Sequence, residues 1–331
     1  MAAGIVWGGN ETLLYRTDAD LSDILRTTLQ PLATMRQFTD PIEADKPYHT
    51  GDRFYWDIFG DTAVAARALD ELEPIPETTF PFTQSSLLVT EAGIAVPFTS
   101  KSEMLAKFQV TDIVHKALSN NARKFFDASS WLQFAATPIV VVPTGGTSTT
   151  ALTVTTNGTT VTTNNIELSS EHINLVDDMM RERNIPPDPR VGKYIATSHP
   201  STFRALKDDL EVKHVYTETG LNMIFESEMG RYGGFVFVEQ TNIPKGGAED
   251  STTFDAFGNV SDPWNNAKSS WVLFFGGDTV MECVVTPEEV RAKIPSDFGR
   301  SHAAAWYYCG GFGLTHSDAT NARVILWGSA A

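Results

Sequence analysis

With 331 residues, 42% of them hydrophobic and 20% charged, the chain can bury a sizeable core and is too long for one minimal domain. Its net charge of −16 argues against a nucleic-acid grip built on a basic surface, because such binding needs Lys and Arg to displace counterions from phosphate. Residues Met1 to Trp7 lack a charged stretch leading into an apolar one, and no later apolar run approaches the ~20 residues of a membrane helix, so a soluble protein with no membrane partner is expected.

Residues 1–47 mix Gly8-Gly9, three prolines and scattered charges with one helical stretch, Leu21 to Leu29, and suggest an arm rather than a core element. Residues 48–98 form a long excursion. Its two ends, His49 to Phe59 and Ser86 to Val96, are rich in aromatic and β-branched residues and alternate as strands do. Its middle, around Asp70-Glu71 and Pro74 to Glu77, has too few apolar residues to form a core of its own.

Residues 100–135 carry the strongest helix signal. Ser100 to Glu103 fits a capping box, and no Gly or Pro interrupts the chain from there to Ala135. Met104, Phe108, Val114, Leu118, Phe125, Ala128 and Leu132 recur mostly at three- and four-residue steps as one buried stripe. Such a rod spans about 50 Å at 1.5 Å per residue, long enough to act as a strut, and Pro138 closes it.

Eleven threonines fall between Thr144 and Thr163, around Asn157-Gly158, whose β-branched flanks predict a surface hairpin turning at that dipeptide. A helix is expected from Ser170 to Arg183, with Glu171 near its positive end, Arg181 and Arg183 near its negative end and Pro186-Pro187 stopping it. Strands are expected at Tyr194 to Thr197, Phe235 to Val238 and Trp271 to Phe275, with a helix opened by Pro200. A capping box at Thr286 to Glu289 predicts a short helix with Pro287 at its first position. Two closing strands, Ala303 to Leu314 and Ala322 to Trp327, are joined through His316-Ser-Asp. Helices and strands are segregated rather than alternating, so the fold class is α+β.

The residues offer little chemistry. The sequence has no glycine-rich phosphate loop ending in Lys, no H-E-x-x-H, no G-x-S-x-G and no C-x-x-C. Gly310-Gly311-Phe312-Gly313 follows a strand without opening a helix, which favours close strand packing over nucleotide binding. No two of the seven histidines share the i, i+4 spacing of a metal site. His115 is expected to be a hydrogen-bonded structural residue beside the apolar stripe, and His316 with Asp318 to cap a turn. Cys283 and Cys309 sit in strand-like apolar settings and are expected as buried, reduced thiols. The expectation is a non-enzyme with no catalytic residues, no metal and no cofactor.

In order, the parts are an arm, a strand-edged excursion, a very long helix, an α+β body and terminal strands. That order resembles the major capsid proteins of tailed bacteriophages, with the fold named after phage Hong Kong 97. Gln109 to Asp127 is similar to the family's spine helix, and His199 to Leu206 and Glu228 to Thr241 are similar to axial-domain segments. The resemblance implies an N-terminal arm at 1–47, an extended loop (E-loop) at 48–98 and a peripheral domain at 99–189 holding the spine helix and the Thr-rich hairpin. An axial domain at 190–299 and closing strands of the peripheral domain at 300–331 complete it. It further implies hexamers and pentamers of this chain in an icosahedral shell around double-stranded DNA, a virion location, and assembly in the host cytoplasm. Portal and decoration proteins are implied partners, and the short arm favours a separate scaffolding protein. Some members crosslink their shells from an E-loop lysine, but this sequence has no lysine between Lys46 and Lys101, so no such crosslink is expected.

Residues 48–98 hold two basic and eight acidic groups, a net of −6, and residues 100–135 hold five basic and three acidic, a net of +2. The expected contact therefore joins Asp70, Glu71 or Glu73 of one subunit to Lys101, Lys107, Lys116, Arg123 or Lys124 of a neighbour. Solvated surface charge, or lysines facing packaged DNA nonspecifically, are the competing uses. Other functional readings are an encapsulin-like compartment shell, a tail-tube or decoration protein, and an enzyme of unrecognised type.

Overall fold

The computed structural model describes residues 34–43, 51–62, 66, 68–69, 71, 75, 77–158, 166–212, 228–242 and 269–330. A 3-10 turn at Met35–Phe38 leads to strands β1 (Asp40–Glu43), β2 (Arg53–Phe59), β3 (Phe82–Leu88) and β4 (Thr90–Thr99). Helices α1 (Ser100–Leu105) and α2 (Val110–Ala135) come next, then β5 (Val140–Pro143), β6 (Leu152–Thr155), α3 (Ser170–Glu182), β7 (Tyr194–Ser198) and α4 (Arg204–Val212). The last six strands are β8 (Glu228–Tyr232), β9 (Phe235–Glu239), β10 (Ser269–Phe275), β11 (Val280–Ala292), β12 (Ser301–Leu314) and β13 (Val324–Ala330).

Seven strands form a mixed sheet in the order β6-β5-β13-β10-β7-β9-β8. Its central strands are apolar on both faces, because both faces are covered. Phe235 and Phe237 of β9 point to Ile173, Val176 and Met180 of α3 and to Leu206 of α4. Val236 and Val238, one residue out of phase, point to Met35, Phe38, Trp131 and Phe134 on the other side. Four strands form a second sheet, β1-β11-β12-β4. Along β12 burial alternates, and Ala304, Trp306 and Tyr308 pack with Val110, Val114, Leu118 and Phe126 of α2. The single helix α2 thus rests its first half on the smaller sheet and its last turns on the larger one.

The long helix is shorter than expected. It breaks at Ala106, which is extended at φ −72°, ψ 140°, and resumes at Val110, so α2 has 26 residues and spans about 39 Å. No Gly or Pro marks the break. The cap is also displaced: Thr99 is the N-cap, and its hydroxyl and backbone exchange hydrogen bonds with Ser102. Of the expected stripe, Val114, Leu118 and Ala128 are buried, whereas Met104 is 82% exposed and Leu132 lies at the surface. His115 is exposed rather than tucked beside the stripe.

Four other expectations change. Thr286 to Glu289 is strand, not helix: Thr286 pairs with Cys309 and Glu289 with Tyr307, with Pro287 inside the irregularity between them. Cross-strand pairing there outweighs a local capping pattern. The Thr-rich hairpin is β5 with β6, turning through Thr144–Gly146, and the strand expected after Asn157-Gly158 lies outside the described residues. Helix α4 begins at Arg204, after a turn in which the Thr202 N–H bonds the His199 carbonyl. The end of the arm belongs to the core, since Met35 and Phe38 are buried and β1 pairs in parallel with β11. The helix expected at Leu21 to Leu29 lies outside the described residues.

Sheet membership also cuts across the expected domain boundaries at 189/190 and 299/300. β5 and β6 share the large sheet with β7, β9 and β10, and β13 joins them while β12 stays in the smaller sheet. Cys283 is buried and Cys309 half-buried, and neither takes part in a disulfide.

Candidate interaction surface

β2 and β3 pair antiparallel from Arg53–Leu88 to Phe59–Phe82 as a ribbon separate from both sheets. The period-2 alternation gives it two unlike faces. Phe54, Trp56 and Leu87 turn inward, where they pack with Cys283 and Val285, and the Trp56 indole N–H donates to the Thr315 carbonyl at 3.0 Å. Tyr55, Phe59 and Phe82 turn outward, Phe59 being 76% exposed. Beyond the ribbon, Ile75 and Phe80 are exposed as well. The ribbon's root is set by glycine: a Cβ on Gly311 would stand 2.3 Å from the Leu88 carbonyl oxygen, and one on Gly313 2.8 Å from the Leu87 Cβ. That is close strand packing, as expected for the glycine run.

The charged residues proposed from the sequence are dispersed. Glu71 is exposed, and Asp70 and Glu73 lie outside the described residues. Lys101 is on α1, Lys107 in the break, and Lys116 and Arg123 lie seven residues apart on one face of α2, all exposed. Lys124 is half-buried, and its carbonyl accepts from the Asn242 side chain at 3.2 Å. The described cations are therefore spread over α1, the break and α2 rather than gathered on one element. Charge counting missed the aromatic outer face of the ribbon, although the alternation of residues 53–59 already separated Tyr55 and Phe59 from Phe54 and Trp56.

Two polar junctions hold the scaffold behind this surface. Arg36 forms a two-toothed pair with Glu282, at 2.8 and 3.1 Å, bonds Glu288 at 2.8 Å and lies 4.1 Å over the Phe126 ring. Glu282 is nearly fully buried and also accepts from the Tyr308 hydroxyl at 3.2 Å. On α2, Asp127 is 2% exposed and accepts from the Met35 N–H at 2.7 Å, the Asn242 amide at 3.0 Å and the Gln240 amide. Burial pushes its carboxyl up to about 6, against the downward pull of those donors.

Chemistry of other kinds is sparse. Among the described residues, no three His, Cys, Asp or Glu side chains converge as a metal site, and no helix is long and apolar enough to cross a membrane. His316 faces Asp278 at 3.6 Å, not Asp318, and Arg323 binds the same Asp278 oxygen at 2.6 Å.

No protein-family model matches the sequence, and no curated protein matches it. Solved structures match it along nearly its whole length, and the class they define is a fold: that of bacteriophage capsid proteins, α+β as expected. The capsid structure of cyanophage P-SCSP1u matches with a TM-score of 0.64 and 10% identity, over 94% of this chain and 92% of that one. The cyanophage Pam1 capsid matches at 0.61 and 14%, over 100% and 99%. The acid-stable capsid of Helicobacter pylori bacteriophage KHP30 matches at 0.64 and 10%, over 95% and 94%.

Proposed function

We propose that this chain is the major capsid protein of a tailed bacteriophage, a shell subunit that assembles with copies of itself into hexamers and pentamers around packaged DNA. The observation that carries the reading is the end-to-end match of the fold to phage capsid structures, covering both this chain and theirs. In those terms β2 and β3 form the E-loop, α2 the spine helix, the smaller sheet the peripheral domain and the larger sheet the axial domain. The location is the virion shell, with assembly in the host cytoplasm beside a separate scaffolding protein and a portal.

The ribbon supports the reading on physical grounds. A two-stranded ribbon with an aromatic outer face is not stable alone in water, and its exposed rings gain by lying on another surface. The acidic loop residues Asp70, Glu71 and Glu73 would meet Lys101, Lys107, Lys116, Arg123 or Lys124 of the next copy. Exposed pairs contribute ~0–1 kcal/mol each, so they guide register more than affinity. Reversing Glu71 to Lys lowers particle yield and reversing Lys116 to Glu restores it if that pair forms; absence of rescue removes it.

A non-enzymatic role is supported by the engagement of titratable groups in the cleft beneath the ribbon: of Asp61, Arg183, His316 and Arg323, Asp61 accepts from the Thr62 N–H, Arg183 donates to the Ala319 carbonyl and Arg323 is committed to Asp278. Electron microscopy of the purified chain tests the whole reading. Closed particles or hexameric rings are expected, and a chain that stays dispersed at every concentration and salt overturns it.

A further inference from the structure

The β11–β12 ribbon ends in a knob that, among the described residues, is touched by Ser100, which donates to the Gly299 and Arg300 carbonyls, and is otherwise left open. Residues 287–300 are all exposed, and beyond Val284 the outer edge of β11 has left β1 behind. That edge is a poor template for another strand, because Pro287 and two register shifts interrupt its ladder. Contact at this end must therefore be made by side chains. At the tip Ser296 pairs with Ser301, and the Arg300 N–H bonds the Asp297 carbonyl at 3.0 Å. Asp297 and Phe298 both have φ 53° and Gly299 has φ 85°, the left-handed region that a bulky residue rarely adopts. In that posture Phe298 is 106% exposed and Ile294 86%. A local strain that displays an aromatic ring to water is the kind of outlier from which a function is inferred.

At the other end of the same strand lies a groove of about 690 Å³ between β3, α2 and β12. Its walls include Leu88, Phe125, Leu132 and Phe312, and among the described residues no charged side chain lines it, although the chain carries a net charge of −16. The knob is matched to it electrostatically: Arg300 lies 3.6 Å from Asp297 and Arg291 2.6 Å from Glu289, so its charges are largely compensated within the ribbon. The groove's share of β12 is Tyr308 to Leu314, and the tip precedes Ser301. At about 3.3 Å per residue the two ends stand roughly 30 Å apart, so a knob cannot fill its own groove.

We propose that the Ile294–Phe298 tip of one copy seats in the β3–α2–β12 groove of another, a head-to-tail contact between shell subunits that rests on the capsid reading. Two different patches in contact generate rings and closed lattices rather than isolated pairs. A large aromatic buries ~150–250 Å², so the knob falls well short of the ~1,200 Å² of a stable pairwise interface. The contact therefore holds only where many copies close on one another.

The test is a chain carrying Phe298→Cys and Leu132→Cys, assembled into particles, treated with copper phenanthroline and run on a non-reducing gel beside the parent chain, which controls for Cys283 and Cys309. A ladder of covalently joined chains, absent from the parent and from each single variant, is expected. Particles that form without a ladder overturn the contact and leave the capsid reading standing. A dimer from Phe298→Cys alone also overturns it, in favour of tip meeting tip, and a parent chain that forms no particles removes both readings. Phe298→Gly supplies an independent arm, since glycine suits φ 53°. The unassembled subunit is expected to melt no lower than the parent, with particle yield at least ~10-fold lower by the avidity of many lost contacts. Parent-like yield overturns the proposal.

Discussion

Asp127 places a carboxylate where water cannot reach it and surrounds it with donors from separate stretches of chain. Its folded value of about 6 lies above the ordinary 3.8, so between those values the folded chain binds more protons than the unfolded one. Stability from this group is therefore greatest below about pH 4 and declines as pH rises to 6, by about 3 kcal/mol for a two-unit shift. Comparing thermal melts of the parent chain and Asp127→Asn from pH 4 to 7 checks this: the variant is expected to lose that component of the slope. Arg36 behaves differently. Arg36→Ala strands the buried Glu282 carboxylate and is expected to cost about 3–5 kcal/mol, read as a lowered denaturation midpoint, with Glu282→Gln recovering part of it. Neither junction was legible in the sequence, because each joins residues roughly a hundred or more positions apart and no local pattern marks an acceptor for a distant backbone N–H.

At the level of elements, β12 shows how tightly the parts are fitted. Gly311→Ala would bring a Cβ to 2.3 Å from the Leu88 carbonyl oxygen, a backbone atom that cannot step aside, so the ribbon must peel from β12 or β12 must bend. Loss of several kcal/mol and of the soluble folded chain is expected, checked by circular dichroism and solubility. The run Gly310 to Gly313 announced this closeness, just as alternation announced the ribbon and β12, and the period of the apolar stripe announced α2. The misread elements differ in cause. Residues 106–109 interrupt a helix although no residue type there is a helix breaker, and nothing in their pairing or burial explains the break. Thr286 to Glu289 carries a helix-starting pattern but is paired across the sheet with β12, where cross-strand pairing outweighs local preference. Division of strands between sheets was hidden for a similar reason, since β12 and β13 are neighbours in sequence and partners in neither sheet.

For the molecule as a whole, charge and apolar surface would pull the proposed assembly in opposite directions. Each copy brings a net of −16, so copies repel at low salt, where the screening length is about 30 Å at 0.01 M, and far less at about 10 Å near 0.1 M. Particle yield by light scattering is expected to rise over that range if apolar contacts dominate, and to fall if loop–spine ion pairs do. Because no lysine lies between Lys46 and Lys101, boiled particles are expected to give intact single-chain bands on a denaturing gel; a covalent ladder would contradict this.

The seating of α2 on both sheets has a mechanical meaning. A rod about 39 Å long, anchored through Val114 and Leu118 at one end and Trp131 and Phe134 at the other, makes a beam with two bearings. The sheets cannot shear past each other without pulling one bearing out of its apolar seat. A load applied at the β11–β12 tip would therefore be carried along the beam to the larger sheet.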